Sequence, residues 1–206
     1  MKVTLVCSCG LKIETGGSIL YVDAPNAVCP PFSTMQPPDI TPNVFFAFTH
    51  FHADHYDEAF MRNVPAAQIV TPEHKPDCPF FVEFFPIEHT PAPQFPYSEH
   101  HALTVSDGQT LLYVAGDAAP LLNRHYAALN GRIADAAFFH GQYLSYPETR
   151  ELLRSCAKRS YIYHIPIDEA DRSGIRRKCL KNMQRYGQEL PNIVLLTEYP
   201  TEIPAS

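Results

Sequence analysis

The alternation of apolar and polar positions predicts a chain rich in short strands, with helices in both halves. Residues 1–7 alternate in the way typical of a strand with one buried face. Two similar segments flank Gly16-Gly17, and a glycine pair between strands indicates a tight hairpin. A second hairpin is expected around Gly108. The predicted strands after the first are residues 11–15, 18–23, 44–48, 68–70, 80–87, 102–105, 110–115, 134–139, 161–163 and 193–196.

Four segments have the composition or the end signals of helices. Pro65 closes the first, and Asn130-Gly131 closes the second with residues that accept a left-handed cap. Pro147 is tolerated in the first turn of the third, and Ser173 is a suitable N-cap for the fourth. The predicted helices are residues 57–64, 121–129, 147–158 and 174–186.

The chain length and composition favour one globular domain. With 206 residues, the chain is long enough for one well-packed domain and short for two. Hydrophobic residues make up 45% and charged residues 18%, which excludes a disordered chain. No repeat or low-complexity tract marks a boundary, so we predict a single domain over residues 1–206.

The net charge of −6 makes bulk binding of nucleic acid unfavourable. A small phosphorylated substrate is still compatible, because bound metal ions would dominate the local field. We therefore expect a small-molecule substrate and no nucleic-acid partner, and the oligomeric state stays open. Prolines cluster at 25–42 and 72–96, and we expect both stretches to form ordered surface loops that shape a pocket.

The expected compartment is the cytoplasm. The apolar run at the N-terminus is too short for a signal peptide, and no apolar stretch approaches the length of a membrane span. Six cysteines are scattered along the chain, and Cys7-Ser8-Cys9 is the one close pair. We expect reduced thiols that pack as small apolar side chains.

Candidate chemistry is concentrated in the segment Thr49-His50-Phe51-His52-Ala53-Asp54-His55, which directly follows a buried, aromatic-rich strand. In an extended segment, the side chains of His50, His52 and Asp54 would point to one side. A turn after Asp54 would bring His55 to a second position. This geometry suits two metal ions side by side better than one closed tetrahedral site. Three further strand ends carry a possible ligand, namely His89, Asp117 and His164, which implies a cleft at the edge of a sandwich.

This segment resembles the metal signature of the metallo-β-lactamase superfamily. Residues 85–90, 110–117 and 161–164 are similar to the later motifs of that family, and they occur in the family's order. The resemblance implies an α+β fold, a four-layer αββα sandwich. It places one metal on His50, His52 and His89, and a second on Asp54, His55 and His164. Asp117 would bridge the two ions.

The resemblance also implies the chemistry. Nitrogen and carboxylate ligands without thiolate suit zinc, and also manganese or iron. Two such ions would lower the pKa of a bridging water and hold hydroxide ready for attack. Asp54 and Asp117 are the expected catalytic carboxylates. His140 follows a segment that in ribonuclease Z relatives supplies a histidine near the leaving group, although the alignment on Asp135 places that position at Phe139. His140 is thus a candidate general acid, with a role in the pocket wall as its alternative.

Other histidines leave alternatives open. His100 or His101 could replace His89 as the ligand of the third motif, although the strand before His89 and Thr90 after it match the family pattern better. His74 and His125 are expected on the surface.

The expected function is hydrolysis of a small anionic ester, with a phosphodiester slightly ahead of a lactone. The cluster Arg172, Arg176, Arg177 and Lys178 follows His164 closely and could bind a phosphate, or it could be a solvated helix face. One alternative is a diiron-type oxidoreductase, although relatives with that chemistry tend to carry Glu in place of His52 and a fused flavin domain. The other alternative is a non-catalytic metal-binding or sensing module.

Overall fold

A computed structural model describes residues 1–23, 41–91 and 99–204, and two sheets dominate it. The first sheet has the order β11-β1-β2-β3-β4. In this sheet β2 runs antiparallel to both β1 and β3, and β4 lies parallel to β3. Its strands are β1 (Lys2–Leu5), β2 (Leu11–Thr15), β3 (Ser18–Val22), β4 (Val44–Ala47) and β11 (Thr201–Ile203).

The second sheet has the order β10-β9-β8-β7-β6-β5. Strands β7 to β10 are parallel to one another, and β5 and β6 complete the sheet as an antiparallel pair. The carboxyl ends of the parallel strands therefore meet at one edge, where ligands commonly bind in α/β sheets. The strands are β5 (Phe81–Pro86), β6 (His101–Ser106), β7 (Leu111–Val114), β8 (Ala134–His140), β9 (Ala157–Tyr163) and β10 (Ile193–Leu195).

Helices cover the outer faces of both sheets. Helix α1 (Glu58–Met61) packs Met61 against Phe46 outside the first sheet. Helices α2 (Leu122–Leu129), α3 (Pro147–Ser155) and α4 (Ile175–Tyr186) cover the second sheet. Adjacent residues of β8 show the layering, because Phe138 packs between the sheets and Phe139 packs under the helices. This arrangement confirms the predicted α+β fold, a four-layer αββα sandwich.

Three local predictions were wrong. The third helix ends at Ser155, and residues 157–163 form β9, because that segment pairs with β8 on one side and β10 on the other. Residues 68–70 form no strand of their own: Gln68 closes a short 3-10 turn, and Ile69 makes one isolated bridge with Phe46. Ser173 does not cap α4; the carboxylate of Asp171 accepts the backbone N–H groups of Arg176 and Arg177 in its first turn instead.

Strand β11 was missed, because its three residues include only one buried apolar side chain. Residues 24–40 and 92–98 lie outside the described residues, so the predicted pocket role of the first proline-rich stretch and of the end of the second stays a prediction. Within the second stretch, residues 81–86 form β5 and are not a loop. In the described ranges, no helix combines the length and the apolar content that crossing a membrane requires.

Candidate metal centre

Asp23 organises the segment that carries the first ligands. It directly follows β3, and its backbone N–H donates to Ala47 O at the end of β4 (3.1 Å). Its fully buried carboxylate accepts hydrogen bonds from the Thr49 N–H (2.7 Å) and the Thr49 hydroxyl (2.8 Å). Its Oδ2 atom also lies 3.1 Å from His55 Nδ1. Asp23 therefore contacts both ends of the ligand segment. The sequence indicated only that Asp23 ends a hairpin, and this supporting role was missed.

The contacts of Asp23 also set the protonation of two rings. The Thr49 hydroxyl donates to the carboxylate, so its oxygen is free to accept from His50 Nδ1, 3.0 Å away. His55 Nδ1 faces the same carboxylate, which can only accept a hydrogen bond. In their neutral form, both rings therefore carry their proton on Nδ1 and present the lone pair of Nε2. This is the tautomer that a metal ligand needs.

The first ligand group consists of His50, His52 and His89. One nitrogen of each ring lies within 4.8 Å of the others, and His50 Nε2 is 3.1 Å from His52 Nδ1. His89 Nδ1 donates to Thr90 O, which leaves Nε2 with its lone pair. Among the described residues, this buried Nε2 atom has no hydrogen-bond partner. Such a cluster of converging lone pairs fits a cation.

The second ligand group consists of Asp54, His55 and His164. The Nε2 atoms of the two rings face each other at 3.1 Å, and His164 Nε2 is 3.3 Å from Asp54 Oδ2. His164 has a left-handed backbone, with φ of 57°, and its N–H donates to Ser8 O at 2.7 Å. A non-glycine residue in this conformation costs about 1–3 kcal/mol and is characteristic of functional sites.

Asp117 lies between the two groups. Its Oδ2 is 3.7 Å from both His89 Nε2 and His55 Nε2, and its Oδ1 is 3.7 Å from His164 Nε2. The buried Oδ1 atom has no hydrogen-bond partner in the described part of the chain. One carboxylate thus faces both groups, as a bridging ligand would.

Gly116 and His100 fix the position of Asp117. Gly116 has φ of 58°, and a Cβ atom there would lie 2.7 Å from His100 Nε2 and 2.8 Å from Thr49 Cβ. His100 Nε2 accepts the Asp117 N–H at 3.1 Å, and its Nδ1 faces Ile87 O at 3.1 Å. Both ring nitrogens of His100 are therefore used, and burial lowers its pKa to about 3.

His101 does not replace His89 in the ligand group either. Its ring packs edge-on against Phe84 and lies 3.6 Å from a carboxylate oxygen of Glu99. Among the three alternatives for the third motif, the structure brings His89 to the ligand group.

His140 reaches the same site from the end of β8. One of its ring nitrogens lies within 4.8 Å of ligand atoms of Asp117 and His164, whereas Phe139 packs under the helices. His140 Nδ1 accepts the Gln142 N–H at 3.2 Å, so the neutral ring carries its proton on Nε2. Burial lowers its pKa to about 4, so the ring is neutral at pH 7.

The electrostatics of the site favour a cation. Burial opposes charge on His55 and His164, yet the carboxylates of Asp23, Asp54 and Asp117 outweigh it and raise the pKa of both rings. These rings in turn hold the pKa of Asp117 well below its usual value, against the effect of burial. The carboxylates of Asp54 and Asp117 among imidazole nitrogens form a donor set that suits divalent metals. The residues present therefore fit the two ions that the resemblance implies, and ligation by each of them stays a prediction.

Two expectations for residues outside the ligand groups need correction. His125 is fully buried, where it contacts the hydroxyls of Tyr113 (2.6 Å) and Tyr143 (2.8 Å), so its predicted surface position was wrong. Arg176 does not face the ligands freely, because its Nη1 donates to Pro166 O (3.3 Å) and Thr197 O (2.8 Å). His74 is exposed, as expected.

A cavity of about 230 Å³ opens beside Asp54 and His164. Its polar lining includes the side chains of Ser8 and Ser173, and proline, alanine, isoleucine and tyrosine side chains supply most of the rest. Its size fits a small ligand better than a polymer.

Comparison with known proteins identifies the fold. No protein-family model matches the chain, and no curated protein matches it. A solved isothiocyanate hydrolase from Delia radicum gut bacteria is similar, with a TM-score of 0.70, 15% identity and 99% coverage of both chains. The metallo-beta-lactamase fold protein YhfI from Bacillus subtilis has a TM-score of 0.58 and 14% identity, with 98% of both chains covered.

A third similar structure is CmlA, a diiron beta-hydroxylase from Streptomyces venezuelae. Its TM-score is 0.60 at 9% identity, and the match covers 98% of this chain but 53% of CmlA. At these identities, the likeness establishes the fold alone. The chain has the metallo-β-lactamase fold, as the sequence resemblance predicted.

Proposed function

We propose that this protein is a metal-dependent hydrolase that uses two divalent ions to cleave a small ester. The observation that carries the proposal is the position of Asp117, whose carboxylate faces both ligand groups at 3.7 Å. The first ion would be held by His50, His52 and His89, and the second by Asp54, His55 and His164, with Asp117 shared. Zinc suits this donor set best, and manganese and iron are compatible with it.

Ions bound at these positions would supply a nucleophile at neutral pH by lowering the pKa of a bound water. The chain's own residues orient the site. Asp23 fixes His50 and His55 in the ligand tautomer, and His100 fixes the backbone of Asp117. Loss of such a supporting contact commonly lowers metal affinity 10- to 100-fold.

His140 supplies a hydrogen-bond donor for the leaving oxygen in this proposal, which is the form that its candidate role as general acid takes in a neutral ring. Its Nδ1 is occupied by the Gln142 N–H, so its Nε2 holds a proton in the neutral ring. A ring nitrogen with a bound proton cannot ligate a metal, so His140 is better suited to donate a hydrogen bond to a leaving oxygen than to act as an eighth ligand. A non-catalytic metal-binding module would have no use for such a donor.

The cavity beside the second ligand group supports a compact substrate with a mainly apolar body. Arg176 is a weaker candidate for binding a phosphate than the sequence indicated, because its guanidinium donates to two backbone carbonyls. Arg172, Arg177 and Lys178 are exposed and remain candidates for an anionic group. A phosphodiester and a lactone are therefore both retained, without the earlier preference for the phosphodiester.

A diiron oxidoreductase is the second candidate, because CmlA shares the fold. His52 argues against it: the position belongs to a group of three imidazoles, whereas diiron relatives tend to carry Glu there. A hydrolase needs no external reductant, so turnover without a reductant distinguishes the hydrolase from the diiron oxidoreductase.

The test combines metal analysis with a substrate panel. Protein loaded with zinc or manganese is expected to bind two ions per chain by elemental analysis. It should hydrolyse bis-p-nitrophenyl phosphate or a simple lactone without a reductant, and a small isothiocyanate is added because of the structural neighbour. Asp117→Asn should abolish turnover, and Asp135→Asn, in β8 but outside the ligand groups, is the matched control. Full metal content without turnover of any class would shift the proposal to the binding module.

A further inference from the structure

The connection between β1 and β2 lies directly against the second ligand group. Residues 7–10 form a tight turn in which the Val6 N–H donates to Gly10 O at 2.9 Å. Ser8 O accepts the backbone N–H of His164 at 2.7 Å. Cys9 Sγ lies 2.7 Å from the backbone oxygen of Asp54. The turn is thus attached to two of the residues that would hold the second ion.

The thiol of Cys9 belongs to this cluster. Its sulfur and one ring nitrogen each of His55 and His164 all lie within 4.8 Å of one another. The side chain is fully buried. The His55 and His164 Nε2 atoms face each other at 3.1 Å, and a cation held there would accept the lone pairs of both nitrogens. Cys9 therefore lies where an ion between the two rings would find a third donor.

We propose that Cys9 is a further ligand of the second metal position, so that nitrogen, oxygen and sulfur donors hold that ion together. The inference rests on the proposed metal centre and adds a residue to it. On binding, the thiol proton leaves to solvent and the sulfur lone pair forms the bond to the metal. The S–H contact with Asp54 O is given up in exchange, which costs little because a thiol is a weak donor.

A thiolate changes which metal the site prefers. Sulfur is a soft ligand that selects zinc over manganese, magnesium and calcium. The seven nitrogen and oxygen ligands alone make this distinction less sharply, since they suit zinc but also accept manganese. With Cys9 in place, the second position should favour zinc, and without it the preference for zinc over manganese should fall.

Cys7 is a matched control for Cys9. It lies two residues away and is also buried, and its sulfur accepts the Gly10 N–H at 3.2 Å. It is absent from the group that Cys9 forms with His55 and His164. Substitution of Cys7 therefore perturbs the same turn without removing the proposed ligand.

The test is spectroscopic and independent of any substrate. Cobalt-loaded wild type and Cys7→Ser should show sulfur-to-cobalt charge transfer in the near ultraviolet, and Cys9→Ser should lose that band while keeping the visible cobalt bands. X-ray absorption of the zinc form should show a zinc–sulfur distance of about 2.3 Å. Cys9→Ser should lower the affinity for zinc at least about tenfold, which is the lower end of what a supporting residue contributes. The affinity for manganese should fall by less.

The outcomes separate this inference from the proposed function. Metal binding by the wild type without a sulfur signal would overturn the role of Cys9 and leave the metal centre intact. Absence of metal binding would overturn both. The measurements on the wild type can refute the inference even if Cys9→Ser fails to fold. Cys9→Ala provides a second variant.

Discussion

Replacement of Asp23 by Asn tests whether one buried carboxylate prepares the metal ligands. Asn keeps one oxygen, which can still accept the Thr49 N–H. Its amide group then replaces Oδ2, the atom that faces the Thr49 hydroxyl and His55 Nδ1. An amide N–H cannot accept from His55, so the ring is driven to carry its proton on Nε2. That tautomer cannot ligate.

The expected magnitude follows from this change of tautomer. Loss of the partner that orients a metal-bound histidine typically weakens metal binding 10- to 100-fold, or about 1.4–2.7 kcal/mol. Asp23→Ala would instead leave several buried donors unpaired, at about 1–3 kcal/mol each, and would confuse binding with folding. Asn is therefore the informative substitution.

The assay is zinc affinity by chelator competition at pH 7, together with melting curves with and without zinc. Wild type should gain more thermal stability from zinc than Asp23→Asn, because stabilisation grows with the ratio of free metal to Kd. Asp135→Asn is the control, since the Asp135 carboxylate also accepts a backbone N–H, that of Leu111 at 2.8 Å, but lies outside the site. Wild-type zinc affinity in Asp23→Asn would refute the reasoning.

Three further predictions concern single side chains. Asp117→Ala should lose hydrolysis and retain fewer than two ions, with little change in metal-free melting, because the backbone bond to His100 remains; full metal content by elemental analysis would contradict this. His140→Ala should lower kcat about 10²- to 10³-fold at unchanged metal content, because the leaving oxygen loses its hydrogen-bond donor; an unchanged kcat would exclude that role. Burial lowers the pKa of His125 to about 4, so the unfolded chain binds more protons between pH 6.5 and 4. The free energy of unfolding of the metal-free protein should therefore fall by about 3 kcal/mol from this residue as pH drops through that window. Denaturant titrations of wild type and His125→Gln should show the difference, and equal pH dependence would contradict it.

The fold was predictable because its signals are local. The apolar runs, the glycine pair of the first hairpin and the Asn130-Gly131 helix end all act over a few residues. The observed Asn130 has φ of 49°, the left-handed cap that its sequence context indicates. The prediction failed at residues 157–158, where pairing with β8 overrides a helical pattern.

The candidate ligands were also accessible from sequence, since each follows a strand and the parallel strands end at one edge of the sheet. The sequence could not choose among His89, His100 and His101, because that choice depends on where each ring points after β5 and β6 pair. Nor could it place His140, whose direction relative to Phe139 is set by the register of β8.

The sequence by itself thus determined the fold class, most of the strands in their order along the chain and the residue types of the metal centre. Only the tertiary structure decided what surrounds that centre. Asp23 reaches Thr49 across 26 residues, and Cys9 reaches Asp54 across 45. His125 and Arg176 were misjudged for the same reason, since burial and hydrogen bonding depend on neighbours that are distant in sequence. Periodicity reports which face of an element is apolar, and it carries no information on which side chains of other elements that face will meet.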